Sequence, residues 1–345
     1  MEAAKAGVVL AACPSVAGRL ISWSYLVLAA LTACAPPPHA QTRALGTADL
    51  AELWQEPHDL LQRDLFGGPG GAALAPAPEI TYAFVSFKTT GTNPGYQVRD
   101  PAGRLWSVKL GVEAQSEVTV SRILWALGFH QPATYYLPEF TLSSNVGGPR
   151  KQARFRTDVA PWQAVGTWSW YENAFADTQP FRGLVVAQLI LNAWDLKTAN
   201  NRIYASSDPS AQPQRQFMVR DLGSSLGAAR QFTLLHALGL YGWQGTKNDV
   251  ADFEQQGFIT TVDRGRVVFD YRGANTALVN MLTVRDVVWT CELFARLPDG
   301  HWQAAFRAGR FPATDAERYI RKIKEKVAQG LALKRDRTLT QAVTH

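Results

Sequence analysis

The chain has 345 residues, a net charge of +6, 46% hydrophobic residues and 19% charged ones. This composition supports one large or two modest domains with a sizeable core and excludes general disorder. Its basic residues cluster only between Arg318 and Arg337, and aromatic residues do not alternate with them, so no nucleic-acid partner is expected.

At the N-terminus, Arg19 precedes the apolar run LISWSYLVLAALTA, which stops at Cys34 and the segment APPPHA. A basic residue, a short apolar run and small residues before a cut site describe a secretory signal, and the run is too short for an ordinary membrane-spanning helix. Leu31-Thr32-Ala33-Cys34 resembles the lipobox of bacterial lipoproteins. That resemblance implies a signal over 1–34, a lipidated Cys34 and an exported chain anchored in the cell envelope. The alternatives are an ordinary cut near Ala40 or a hydrophobic N-terminal anchor. Residues 35–78, rich in Pro, Gly and Ala with one helical patch around Leu50–Leu65, read as a tether. Of three cysteines, at 13, 34 and 291, two fall in this leader, so no disulfide framework or zinc cluster is expected beyond it; Cys291 reads as a buried small apolar residue.

Ile80–Lys88 reads as a strand, TTGTNPG as a turn-forming loop, and Tyr96–Arg99 and Leu105–Leu110 as two further strands, the last carrying Lys109. Glu117–Leu127 fits a helix whose apolar stripe is Val120, Ile123, Leu124 and Leu127, with Gly128 as its stop. Glu117 lies on that stripe, and a buried carboxylate needs a cation, so Lys109 is the expected partner. Glu113 is the reserve choice, placed in the connecting turn. Tyr135–Leu142 and Gln152–Thr157 read as strands, with a join between lobes just after them. Helices are expected over Leu184–Trp194, Leu234–Leu240, Thr283–Leu297 and Asp315–Leu333, the last with a capping-box spacing at Thr314 and Glu317. Residues 336–345 read as a tail. The aromatic stretch Trp162–Tyr171 is expected to pack in the core, the alternative being that it lines a carbohydrate or lipid surface.

The polar residues that stand out are Asp195, Lys197 and Asn200 after a buried helix, and Asp221 in MVRDLGSS at the end of its own apolar run. An acid and an amide on a loop facing a second acid suit a divalent cation and a nucleotide's phosphates. Each residue has a plainer role: Lys109 as a strand-end lysine, Glu117 as a first-turn acid, Asn200 as a turn residue, Asp221 as a cap. No histidine has a His or Glu partner at i, i+4 and no G-x-S-x-G occurs, so neither zinc hydrolase nor serine hydrolase chemistry is indicated.

The order of these parts resembles the protein-kinase-like superfamily over Ile80 to Gly227. Asp195-Leu-Lys-Thr-Ala-Asn200 keeps the form of a kinase catalytic loop, and Asp221-Leu222-Gly223 stands where D-F-G would. Ala193-Trp194 in place of His-Arg, a loop without the G-x-G-x-x-G form and the lack of an A-P-E element point to the atypical branch, with HipA-like, phosphatidylinositol-kinase-like and secretory-pathway members. The resemblance implies an α+β, two-lobed fold: a small antiparallel-sheet N-lobe with one helix over 79–157, and a larger, mainly helical C-lobe over 158–335.

It further implies an ATP-dependent phosphotransferase with an unknown protein, lipid or small-molecule hydroxyl acceptor. Lys109, oriented by Glu117, would neutralise the phosphates, and Thr90, Gly91 and Gly95 would cover them. Asn200 and Asp221 would hold Mg²⁺ or Mn²⁺, with Asn201 as a substitute for Asn200. Asp195 would orient the acceptor hydroxyl and Lys197 would steady the γ-phosphate. The alternatives are a catalytically silent kinase-like module that docks an envelope partner, for which the scarcity of ATP outside the inner membrane speaks, and an anchored structural protein.

Overall fold

Alternation of apolar and polar residues builds five strands, β1 (Thr81–Phe87), β2 (Gly95–Arg99), β3 (Leu105–Leu110), β4 (Ala133–Ser143) and β5 (Gly148–Thr157). The computed structural model describes residues 46–342 except 89–93, 144–146, 231–243 and 274. The leader with its lipobox, Thr90, Gly91 and the expected helix at 234–240 lie outside the described residues.

The five strands close into a barrel in the order β1-β2-β3-β5-β4. All neighbours are antiparallel except β1 and β4, which pair in parallel over three residues from Thr81↔Thr141 to Ala83↔Ser143. A small antiparallel sheet was expected; it closes into a barrel whose interior is filled by large rings. Tyr82, Trp106, Phe140 and Phe155 are all essentially buried, with Phe140 and Phe155 centroids 4.9 Å apart and Tyr82 and Phe155 centroids 5.0 Å apart. Each buried side chain of this size contributes about 1.5–3 kcal/mol, and closure also removes the sheet edges.

A second, larger core gathers the helices. Helix α1 (Thr47–Leu50) precedes the barrel and α2 (Glu113–Ala126) lies between β3 and β4. Then come β6 (Trp162–Gly166), α3 (Gln179–Ile190), β7 (Asn201–Ser206), β8 (Arg215–Val219), β9 (Ala229–Arg230), β10 (Gln244–Gly245), α4 (Val250–Gln255), β11 (Ile259–Asp263) and β12 (Arg266–Phe269). The chain ends in α5 (Thr276–Asn280), α6 (Val284–Ala295), α7 (Asp299–Ala308) and α8 (Ala313–Ala342). Helix α2 bridges the two interiors: Val120, Ile123 and Leu124 join the helical core, while Ala114 and Val118 pack on Tyr136 of the barrel and Ala308 of α7. The fold is therefore mixed α+β. Among the described residues no helix is long and apolar enough to cross a membrane.

Four expectations need correction. Residues 46–78 do not form a tether, because Leu53, Leu60 and Leu65 are buried in the helical core and Trp54 Nε1 donates to the Leu127 carbonyl at 2.7 Å. The tail expected over 336–345 is helical as far as Ala342, and α7 forms where no helix was expected. Helix α3 stops at Ile190 rather than Trp194, with Asn192 at φ 52° turning the chain out of the helix. The aromatic stretch packs inward only in part: Trp168 and Trp170 are buried, whereas Trp162 is half-buried and Tyr171 is exposed.

Candidate functional site

Strand register sets the site. Trp106, Val108 and Phe155 point into the barrel, so Ser107, Lys109, Arg154 and Arg156 occupy the opposite face. Pairing aligns them in two rows, Gly95–Lys109–Arg154 and Gln97–Ser107–Arg156. Gly95 is required there, since a Cβ would sit 2.6 Å from the Val108 carbonyl oxygen. Gly111, at φ 106°, turns the chain directly from β3 into α2.

That turn delivers two acids to Lys109. Its Nζ lies 2.5 Å from Glu113 Oε2 and 3.5 Å from Glu117 Oε2. Glu113 is the first residue of α2 rather than part of a connecting turn, and it is the closer partner. A third acid arrives from far along the chain: Asp221 Oδ1 is 2.6 Å from the same Nζ. Glu117 has further cations. Arg154 Nε lies 2.9 Å from its Oε1, within ion-pair range though off-line for a hydrogen bond, and Arg156 Nη1 lies 3.3 Å from it. Lys247 pairs with Glu113 and stands over the Trp194 ring.

Burial opposes the charge of Lys109, but Glu117, Asp221 and Glu113 together outweigh it and raise its pKa well above the ordinary value. For Asp221, burial is likewise outweighed by Lys109, with Arg154 and Arg156 adding to the effect, so its pKa falls well below 3.8. Desolvation, reinforced by the neighbouring Arg156 charge, pushes both Arg154 and Arg220 down to about 10. Desolvation and Arg154 likewise lower Lys88. The cleft thus sets six cations (Lys88, Lys109, Lys247, Arg154, Arg156, Arg220) against four carboxylates (Glu113, Glu117, Asp158, Asp221). Excess positive charge in a partly desolvated cleft draws an anion.

The β7–β8 hairpin brings the other pair of predicted residues together. Asn201 pairs with Val219, and one step further the Arg220 N–H donates to the Asn200 carbonyl at 2.9 Å, so Asn200 and Asp221 leave adjacent strand ends. The Asn200 side-chain nitrogen donates to the Asp195 carbonyl at 2.8 Å, so its amide oxygen is the end left to act as a ligand among the described residues. Asn201 is instead buried, its amide donating to the Trp168 carbonyl at 3.0 Å. Among the described residues no group of three or more His, Cys, Asp or Glu gathers to hold a metal unaided. One carboxylate and one amide oxygen nevertheless fit Mg²⁺ or Mn²⁺ arriving with a nucleotide, since Mg²⁺ is commonly held by one or two carboxylates plus substrate phosphates.

Asp195 sits apart from the Lys109 cluster. Its carboxylate is 2.9 Å from Lys197 Nζ, and its N–H donates to Ser224 Oγ at 3.3 Å, tying this loop to the segment after Asp221. Lys197 is 67% exposed. Gly223 lies against α2, where Ser116 Oγ donates to its carbonyl at 3.1 Å. Thr90 and Gly91 lie outside the described residues.

Arg154, Arg156, Arg220 and Lys247 were not predicted for the site. The alternation Arg154-Phe155-Arg156 signals two arginines on one strand face, whereas nothing local marks Arg220 or Lys247.

No protein-family model matches the chain, and no curated protein matches it. Among solved structures it is similar to the crystal structure of a Helicobacter pylori proinflammatory kinase, CtkA, with 11% sequence identity and a TM-score of 0.45, covering 77% of this chain and 100% of that one.

Proposed function

We propose that the chain is a phosphotransferase of the atypical kinase-like type, moving the γ-phosphoryl group of a nucleoside triphosphate such as ATP to a hydroxyl acceptor. The supporting observation is the convergence on Lys109 of Glu113 and Glu117 from α2 and Asp221 from the β8 end, inside a cleft with more cations than carboxylates. In this reading the barrel with α2 is the smaller lobe and the helical core the larger one.

Lys109, Arg154 and Lys88 would neutralise the phosphates, and Asn200 and Asp221 would hold Mg²⁺ or Mn²⁺, which screens the charge developing on the transferred group. Lys109 would exchange its contact with Asp221 for phosphate oxygens while Glu117 keeps it in place. Asp195 would accept the proton of the acceptor hydroxyl, and Lys197 would stay close to the transferred group.

The direct ion pair between Lys109 and Asp221 favours a second reading, a catalytically silent module that docks a partner in the same cleft. Nucleotide binding measured with and without Mg²⁺ or Mn²⁺ separates the two. Metal-dependent binding of a triphosphate that Asp221→Ala abolishes is expected; no binding of either ATP or GTP defeats the phosphotransferase. We also propose that Cys34 carries a lipid anchor to the cell envelope, so that Cys34→Ser moves the chain from the membrane to the soluble fraction.

A further inference from the structure

One row beyond Lys109, about 7 Å along β3 at Ser107, the cleft face opens into a cavity of ≈ 200 Å³. It is lined by Gln97, Leu105, Ser107, Arg156, Asp158 and Arg220 among others. With phosphates at Lys109, this is where the base of a nucleotide would reach. An adenine site is usually mostly apolar with a few polar groups, but this cavity carries two guanidinium groups and a carboxylate.

These groups form one built network. Tyr204 OH donates to Asp158 Oδ1 at 3.0 Å and accepts from Arg220 Nη1 at 2.9 Å. Arg156 Nη1 donates to the Arg220 carbonyl at 3.2 Å and to Glu117 Oε1 at 3.3 Å, which orients its plane. Among the described residues Arg220 Nε is buried without a hydrogen-bond partner, a donor in want of an acceptor.

We propose that this cavity takes guanine in preference to adenine, an inference that rests on the nucleotide reading of the Lys109 cleft. Guanine offers two acceptors, O6 and N7, which match a guanidinium. It also offers N1–H and the 2-amino group, which match a carboxylate with two oxygens. Adenine presents an amino donor where guanine has O6, and so sets donor against donor. A phosphate or other bare anion would satisfy the arginines but is repelled by Asp158. Leu105, partly exposed at the rim, is placed to cover one face of the ring.

The test is equilibrium binding of fluorescent GTP and ATP analogues to the full-length protein with Mg²⁺, with inorganic tripolyphosphate as competitor. GTP should bind about tenfold or more tightly than ATP, the discrimination expected of one good bidentate contact. Arg220→Met, chosen because Arg156 also holds Glu117, should cut that ratio to near unity while both triphosphates still bind. Asp158→Asn, which replaces an acceptor oxygen by a donor, should move the preference from GTP toward XTP, whose 2-oxo group accepts. Equal or tighter binding of ATP by the unaltered protein overturns the guanine assignment and leaves the phosphotransferase standing. Tripolyphosphate binding as tightly as GTP also overturns it, because the cavity would then read no base. Failure to bind any of the three removes both proposals together.

Discussion

Lys109 and Asp221 are separated by 112 positions in the chain and by 2.6 Å in the fold. The lysine is 6% exposed and is shared with Glu113 and Glu117, so replacing it leaves two almost fully buried carboxylates short of a cation. Lys109→Met keeps the bulk of the side chain and removes only its charge. Glu113 retains Lys247 and Glu117 retains Arg154 and Arg156, so the loss should be about 3 kcal/mol, the low end for breaking a buried pair. A urea titration checks it, and an unchanged midpoint would mean that the other cations fully replace the lysine. The same variant should lose triphosphate binding.

Gly223→Ala tests the contact between α2 and the segment that follows Asp221. A Cβ at 223 would lie 2.7 Å from Glu113 Cβ and 2.9 Å from Glu113 Oε2. The glutamate is buried and cannot swing into solvent, so the helix start or the Asp221 segment must move. Overpacking of this kind costs about 1–3 kcal/mol. Because the displaced group is itself a Lys109 ligand, triphosphate affinity should fall with stability. Stability lost with affinity intact would show that Glu113 does not set the position of Lys109.

The same cluster predicts the acid limb of stability. Asp221 and Glu113 are held below their ordinary values of 3.8 and 4.5 by Lys109, against the opposing effect of burial. A carboxylate whose pKa is depressed by folding contributes stability above its unfolded pKa and loses it as pH falls through the folded one. Lys109, raised by its three acids, contributes below its unfolded value of 10.5 and loses that only at higher pH. The share of stability that this cluster contributes should therefore be flat through neutrality and decline below about pH 4.5, separate from the decline that begins near pH 6.5 because desolvation pushes buried His130 down to about 4. Because 39% of the Asp221 side chain is exposed, solvent screening makes its share smaller than that of a sealed pair. In Lys109→Met the decline should be shallower. Chemical denaturation across that range is the measurement, and an identical slope in the variant would dissociate the cluster from acid sensitivity.

Much of this geometry was legible in the sequence because it rests on short-range periodicity. Alternation in Leu105–Leu110 sets Lys109 opposite to Trp106 and Val108, and helical spacing places Glu117 on the buried face of α2. Asp221 was legible only as an acid after an apolar run; its distance from Lys109 depends on how the β7–β8 hairpin meets the barrel, which no local pattern encodes. Closure of the barrel was hidden because β1 and β4 pair over only three residues, too few to mark either strand. Residues 46–78 were misread for a related reason. Pro, Gly and Ala signal a linker by composition, whereas the few residues that dock it, such as Leu53 and Leu65, are spaced without a period.

Asp195 and Lys197 form a pair that should matter little to folding. Lys197 is 67% exposed and Asp195 25% exposed, and pairs of this kind contribute between nothing and about 1 kcal/mol. The backbone of Asp195 does the structural work, its carbonyl accepting from Asn200 and its N–H donating to Ser224. Asp195→Asn keeps those bonds and removes only the carboxylate charge. Unfolding should be unchanged and triphosphate affinity retained, while transfer to an acceptor falls by about 10²–10⁴-fold, the size of a lost general base. Lys197→Ala should likewise leave stability intact and lower turnover. The decisive comparison is between binding and single-turnover transfer in the same preparation. If Asp195→Asn weakens affinity as much as it slows transfer, the carboxylate acts on the bound nucleotide and another group must take the proton.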